Sequence, residues 1–418
     1  MSAAPVAGRF LRDVGGAAVV GACSGILSAA FLLLLDRATQ LRLTHEWLVY
    51  LLPLAGLVLG FVYDRAGKVV RGGTSVIIEA THDSSVEIPL KMAPLVLLGT
   101  LLTHAFGGSA GREGTAVQMG GSVAAAFARR FRLDTGGTRT LILAGMAGGF
   151  GSVFGTPCAG AIFAIEVVCV GRPAWGAIVP AFVASFVGDF VSHRCGVVHT
   201  AYPHVMAPAL SLSLLPKLVV LGLAMALIGV VFERLTKGTK KLLERALPPL
   251  PFRMFASGLL VVVLWKVART NTYLGLGVPT IVAAFSDPNL VYTAFLWKTV
   301  FTSMTLAGGF LGGEVTPLFF VGATLGNVLA RALGLPIDLG AVSGMAAVFG
   351  SAANVPVALS VMAAELVGGG VFPYVLVVCA VAYAASGYNG IYGSQRIGRK
   401  KPWGVRVDPP RALHDFEH

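Results

Sequence analysis

The chain has 418 residues, 55% of them hydrophobic and 12% charged, with a formal net charge of +12. An ordinary soluble domain carries about 25% charged residues, so a water-soluble globule is excluded and the surplus apolar surface has to face lipid. The positive charge lies outside the apolar runs, at Arg9 and Arg12 near the start and at Arg396, Arg399, Lys400, Lys401 and Arg406 near the end. That reads as basic residues held on the cytoplasmic side, with both termini there, and not as a nucleic-acid surface.

In chain order, residues 1–13 read as a cytoplasmic N-terminal segment. Val14 to Leu35 follows with no charge over 22 residues, enough for a membrane helix, which needs about 20. It is too long for a secretory signal, and no cleavage site follows it. Gly72-Gly73-Thr74-Ser75-Val76-Ile77 is a glycine break whose hydroxyls and N–H groups face outward to a ligand in this reading. Gly107-Gly108 and then Gly111-Arg112-Glu113-Gly114-Thr115 form a second break, helix-compatible from Thr115 onward. Gly145-Met146-Ala147 opens a run reaching Thr156-Pro157 and Ile165-Glu166. The basic, proline-bearing stretch from Lys237 to Arg253 reads as linker or an early loop. Gly308-Gly309 through Gly312-Gly313-Glu314-Val315-Thr316-Pro317 is a further break. Leu339 to Ala364 and Leu366 to Gln395 are uncharged over 26 and 30 residues. Tyr388 and Tyr392 interrupt the second of these before a basic tail at 401–418. The five cysteines and eight histidines show no metal or redox spacing, so no metal and no cofactor are expected.

The chain repeats itself. Gly111 aligns with Gly312, Glu113 with Glu314 and Gly121 with Gly322. At nearly the same offset Gly145 aligns with Gly344, Pro157 with Pro356 and Glu166 with Glu365. A weaker match pairs Gly73 with Gly277. The halves are placed at 14–205 and 254–400, with 206–253 as linker and start of the second half. Repeats interrupted at matching places point to a transporter with its site where the repeats meet. The repeat alone leaves open whether the halves are inverted.

Each break supplies a helix N-terminus, with unsatisfied N–H groups and partial positive charge that attract anions. Gly111, Arg112 and Gly114 line the first, Val315 and Thr316 the second. Glu113 and Glu314 are ionisable groups inside apolar surroundings, functional by default. An ionised glutamate competes with an anion for the same N–H groups, and a protonated one does not, which is a physical route to antiport. The structural alternative pairs Glu113 with Arg112 or leaves both acids at the surface. Glu166 and Glu365 read as polar helix ends, with a proton-path mouth as the other reading. An interfacial tyrosine belt is the plain reading of Tyr388 and Tyr392.

The run Gly111-Arg112-Glu113-Gly114-Thr115-Ala116-Val117-Gln118-Met119-Gly120 closely resembles the Gly-Arg-Glu-Gly motif of the CLC family of chloride channels and proton-coupled anion transporters. The resemblance extends from about residue 14 to 400 and includes Gly155-Thr156-Pro157. It is nearest to the fluoride-exporting branch. Gly73-Thr74-Ser75-Val76-Ile77 stands where chloride members carry Gly-Ser-Gly-Ile-Pro. Gly313-Glu314-Val315-Thr316-Pro317 replaces their Gly-Ile-Phe-Ala-Pro, and Val167 stands where many chloride exchangers have an inner proton glutamate.

The resemblance implies an all-α integral membrane protein of the inner (plasma) membrane. Its fold is a CLC-type inverted repeat of two halves with many tilted and broken helices, assembled as a homodimer in the lipid bilayer. It implies fluoride/proton antiport, exporting cytoplasmic fluoride; the alternative is a chloride/proton antiporter or passive anion channel of the same family. Glu113 takes the role of gating, proton-carrying glutamate. Glu314 and Thr316 take those of second acid and hydroxyl. Thr74 or Ser75 takes the central-serine position, and Tyr392, or else Tyr388, that of the tyrosine closing the inner end. Phe319 and Phe320 offer ring edges to fluoride, with core packing as the plainer reading. An enzyme using Glu113 and Glu314 as acid and base lacks a nucleophile or metal set in the sequence, and a scaffold leaves the two buried acids without a use.

Overall fold

The computed structural model describes residues 3–66, 70–209, 211–401 and 406–416. The first half carries α1 (Ala3–Thr44), α2 (Leu52–Ala66), α3 (Gly73–Ala80), α4 (Met92–Ala105), α5 (Glu113–Arg130), α6 (Thr135–Phe154), α7 (Pro157–Glu166) and α8 (Ile178–Arg194). The second carries α9 (Leu215–Ala246), α10 (Leu250–Ala268), α11 (Val278–Ala283), α12 (Ala294–Gly308), α13 (Val315–Leu333), α14 (Ile337–Ala352), α15 (Pro356–Val367) and α16 (Phe372–Ala385). Each set opens on its longest helix, of 42 and 32 residues, and has its shortest in third place, of 8 and 6. Glycines with positive φ, Gly73 (56°) and Gly277 (76°), start the two shortest helices, so the weaker match in the repeat is structural too. By length and composition six helices among the described residues can cross a membrane, α9, α10 and α13 among them. At 1.5 Å per residue, α3 and α11 rise only about 12 Å or less and are too short to cross.

The repeat is inverted. The equivalent helices α2 and α10 lie side by side and antiparallel, with Gly56 against Met254, Gly60 against Pro251 and Gly258 against Pro53. An axis along the membrane normal would make equivalent spanning helices run the same way. An axis in the membrane plane makes them run oppositely.

Lipid supplies no hydrophobic force between helices, so close approach of small residues has to hold them together. The α5–α6 and α13–α14 crossings show the device. A Cβ at Gly120 would stand 2.1 Å from the Gly145 carbonyl oxygen, and one at Gly322 would stand 2.2 Å from that of Gly344. A second pair of ties spans the halves. The Glu365 carboxylate accepts from the N–H groups of Cys158 (2.9 Å) and Ala159 (2.8 Å) at the start of α7. The Glu166 carboxylate accepts from those of Val357 (3.2 Å) and Ala358 (2.9 Å) at the start of α15. Each acid caps the other half's helix, which satisfies orphan donors next to Pro157 and Pro356. These are the polar helix ends expected of Glu166 and Glu365.

Three boundaries move. The segment at 1–13 is not separate, because α1 already begins at Ala3; residues 1–2 lie outside the described residues. Residues 206–253 hold linker and the start of the second half, as expected, but α9 runs through them to Ala246, and the expected loop shrinks to the prolines at 248 and 249. The tail at 401–418 folds back as a strand. β1 (Cys169–Val170), β2 (Arg396–Arg399) and β3 (Arg406–Ala412) form one small sheet, β1–β2 parallel and β2–β3 antiparallel. Residues 402–405 and 417–418 of the tail lie outside the described residues. On the same face as the start of α1, Asp134 caps α6, accepting from Gly137 N–H at 3.2 Å. That hydrogen bond, with Arg9 and Arg12 nearby, holds its carboxyl below the usual carboxylate range.

Candidate functional site

The two glycine breaks meet backbone to backbone at the centre of the molecule. Gly111 N–H donates to Gly313 O (2.6 Å), and Gly313 N–H donates back to Gly111 O (2.8 Å). A Cβ on Gly111 would lie 2.9 Å from Gly313 O, so side chains are excluded there. This two-residue bridge sets the N-termini of α5 and α13 beside each other.

Glu113 is the first residue of α5 and is fully buried. Its carboxylate reaches across to the other half. Oε2 accepts from Thr316 N–H at 3.3 Å and from Arg112 N–H at 3.0 Å, and Oε1 accepts from the Thr316 hydroxyl. Arg112 Nε stands 3.8 Å from Oε1, so the expected pairing with Arg112 exists but is the longer contact. The carboxylate therefore sits on the N-terminus of α13, where an anion would bind. Tyr202 lies within electrostatic reach of both Arg112 and Glu113.

Glu314, the N-cap of α13, faces the other way. It lines a cavity of about 560 Å³ with Gly73, Thr74, Ser75, Gly114, Gln118 and Tyr392. Glu113 is not part of the lining. At the mouth stand Arg71, Lys237, Lys240 and Arg253 with Asp64, Glu233 and Glu244. Lys237 pairs with Glu233 at 2.6 Å, Arg253 with Glu244 at 3.4 Å, and Arg71 with Asp64.

The paired candidates lie in different surroundings. Thr74 and Ser75 both line the cavity, but Thr74 is the buried one and accepts from Gln118 Nε2 at 3.5 Å. Tyr392 is buried and in the lining, whereas Tyr388 packs with Val170, Ile397 and Leu413 outside it. Gln395 fixes the segment carrying Tyr392: its side-chain amide donates to Val167 O (2.7 Å) and Ala353 O (3.0 Å) and accepts from Asn354 (2.8 Å). Arg396, bonded to Glu79 of α3 at 2.9 Å, ties the same segment to the Thr74 side. Val315 is buried in the first turn of α13 and is not in the lining. Phe319 and Phe320 are core residues, packed on Phe154 and Phe349 and on Tyr273 respectively.

Sequence reasoning missed Gln118. Its Oε1 is buried without a hydrogen-bond partner among the described residues. The signal was available: on a helix starting at Glu113, Gly114 and Gln118 are four apart and share a face.

The chain is similar to known proteins. A family model described as voltage gated chloride channel matches residues 55–387. A chloride/fluoride channel protein of Pseudomonas syringae pv. tomato is 44% identical over 409 residues, 95% of this chain and 90% of that protein. The crystal structure of a CLC-type fluoride/proton antiporter superposes with a TM-score of 0.90 at 34% identity, covering 93% of this chain and 98% of that one. A slow cyanobacterial chloride/proton antiporter shares the fold, with a TM-score of 0.78 at 19% identity over 90% of this chain and 94% of its own. The inverted repeat, the paired helix N-termini and these matches lead to one conclusion: the chain belongs to the CLC family of voltage-gated chloride channels and their transporter relatives.

Proposed function

We propose that this protein is a fluoride/proton antiporter that exports cytoplasmic fluoride, with Glu113 as the group for which proton and fluoride compete. The observation that carries the reading is the Glu113 carboxylate bound to the N–H and hydroxyl of Thr316. Ionised, it holds the donors that a small anion needs. Protonated, it loses the charge that binds it there and leaves the N-terminus of α13 to fluoride. Fluoride holds water strongly, so compact donors have to replace its hydration; two N–H groups and a hydroxyl are such a set.

Fluoride approaches from the cavity, past Thr74, Gln118 and Tyr392. The lysines and arginines at its mouth raise the local anion concentration. By the positive-inside rule this basic mouth is cytoplasmic, as are Arg9 and Arg12, so the chain lies in the plasma membrane with both termini inside. Glu314 faces the cavity and serves as the inner proton acceptor, relaying to Thr316 and Glu113. The native unit in this reading is a homodimer in the bilayer, with one pathway per chain.

The test is ion flux from liposomes holding purified protein, with fluoride or chloride inside and internal pH followed in the same sample. Fluoride efflux that drives proton uptake, with little chloride flux, is the expected result. Rapid chloride flux would replace fluoride by chloride as substrate. Fluoride flux without proton movement would make the protein a passive channel, the activity the Pseudomonas relative's name describes.

A further inference from the structure

On the face opposite the basic cavity, three side chains stand together that the transport reading does not use. The relevant helix is α8. It runs parallel to α1, with Gly21 against Ala184 and Gly25 against Gly188, so its C-terminus lies at the far end from Arg9 and Arg12. Its last turns carry Asp189 and His193, four residues apart and so on one face. The chain then turns at Gly196, whose φ is 88°, and brings His199 back against them. The two imidazoles are 4.7 Å apart between centroids, and one ligand atom from each of the three residues lies within 4.8 Å of the others.

We propose that Asp189, His193 and His199 bind a first-row divalent cation of the zinc type. Three features support it. First, His199 is already oriented as a ligand. Its Nε2 is 2.9 Å from Ser152 O and so carries the proton, which leaves a lone pair on Nδ1. A ligating histidine whose other ring nitrogen donates to a backbone carbonyl is the usual outer-shell arrangement of metal sites. Second, that Nδ1 and Asp189 Oδ1 are both buried atoms with no hydrogen-bond partner among the described residues. A cation held between them would satisfy both acceptors. Third, His193 Nδ1 stands 3.3 Å from Asp189 Oδ1. That matches the ligand–ligand edge of about 3.3 Å in a tetrahedron with bonds near 2.0 Å.

The set is two imidazoles and one carboxylate, with a fourth position for water, which suits zinc and excludes the harder oxygen-seeking cations. His193 is exposed and gives the cation its entry. Its Nδ1 also lies 3.0 Å from Asp189 O, so binding displaces a proton there. Among the charges nearby, Asp189 acts on Glu365 and Arg112 on His199. Arg194 is turned away, over the Phe190 ring at 5.2 Å. Spacing in the sequence hid the site, because His199 is brought in by the Gly196 turn and not by a helical repeat.

The test is a cobalt(II) titration of tag-free, full-length protein in detergent, read by visible absorbance. Expected are the intense ligand-field bands of tetrahedral cobalt, saturating at one ion per chain and abolished by one equivalent of zinc. His199→Gln keeps an amide to donate to Ser152 O, so it should fold as the wild type does; it should abolish the bands. His193→Gln should do the same, and Asp189→Asn should weaken binding at least tenfold. His45→Gln, distant and exposed, should leave the bands intact. Zinc should also raise the wild type's melting temperature, an effect reversed by chelator and absent in His199→Gln. Absence of a saturable band in the wild type, or bands that survive both histidine substitutions, would overturn the assignment.

Discussion

The N-termini of α5 and α13 are equivalent in the repeat and are joined by the Gly111–Gly313 bridge. Their side chains are not equivalent. Glu113 crosses to the other half and is fully buried on Thr316; Glu314 stays on its own side and faces the cavity. The threonines diverge in the same way. Thr115 hydrogen-bonds Thr100 of α4 at 2.7 Å, a contact inside the first half, whereas Thr316 donates to Glu113. Where a Cβ on Gly114 would stand 3.3 Å from Gly313 Cα and 3.5 Å from the Thr74 hydroxyl, Val315 is buried. In the proposed reading, duplication supplied two anion-attracting helix ends, and substitution made one hold the competing carboxylate and the other face the ion's entry. A symmetric fold becomes a directional pathway through a handful of side chains.

Removing the carboxylate charge from the crossing member tests this most severely. Glu113→Gln keeps the shape but cannot ionise, so fluoride-driven proton uptake in liposomes should vanish. Fluoride movement should either stop or run uncoupled. Proton coupling that survives Glu113→Gln would sink the division of roles. Glu314→Gln should act differently: fluoride still reaches the site, but proton exchange through the cavity slows by about a hundredfold, as for loss of one general acid–base group at the low end of its usual range. Equal effects of the two substitutions would mean that the asymmetry is geometric only.

The threonines sharpen the comparison. Thr316→Val removes a hydrogen bond to a charged group, worth roughly 1.5–3 kcal/mol, together with a fluoride donor. Fluoride affinity, measured by isothermal titration, should fall by about tenfold or more, at 1.4 kcal/mol per decade. Thr115→Val removes a bond between two neutral hydroxyls, about 1 kcal/mol. It should lower the melting temperature slightly and leave fluoride affinity unchanged.

Much of this contrast was legible in the sequence, because glycine clusters and buried acids are conspicuous in an apolar chain. The breaks at Gly111 and Gly312 and the acids beside them lie where the motif placed them. The direction each acid faces was not legible. Glu113 and Glu314 align in the repeat, and only the tertiary contact with Thr316 separates them. Thr74 and Ser75 are adjacent hydroxyls, so a helix start displaced by one residue exchanges their roles. Tyr392 differs from Tyr388 because Gln395 anchors the segment to Val167 and Ala353, residues far away in sequence. The tail read as a basic extension because the partner of β2 in the first half, Cys169–Val170, is a two-residue strand with no pattern of its own.

A second pair of equivalent acids gives the smallest predicted effect and the control for the first. Glu166 and Glu365 also cross between halves, but reciprocally, each accepting two N–H groups at the other's helix start. Here the repeat stayed symmetric, so the two should be equivalent in function as well as in position. Glu166→Gln and Glu365→Gln each replace a charged cap by a neutral one that can still accept through its amide oxygen. The loss is about 0.5–1 kcal/mol, at the low end for helix capping, because burying a charged carboxylate is itself costly. Melting temperatures of the two variants should fall by similar small amounts, and fluoride/proton coupling in liposomes should match the wild type in both. If one variant lost coupling while the other kept it, the asymmetry that separates Glu113 from Glu314 would extend outward along the pathway, and the side with the loss would mark where protons enter.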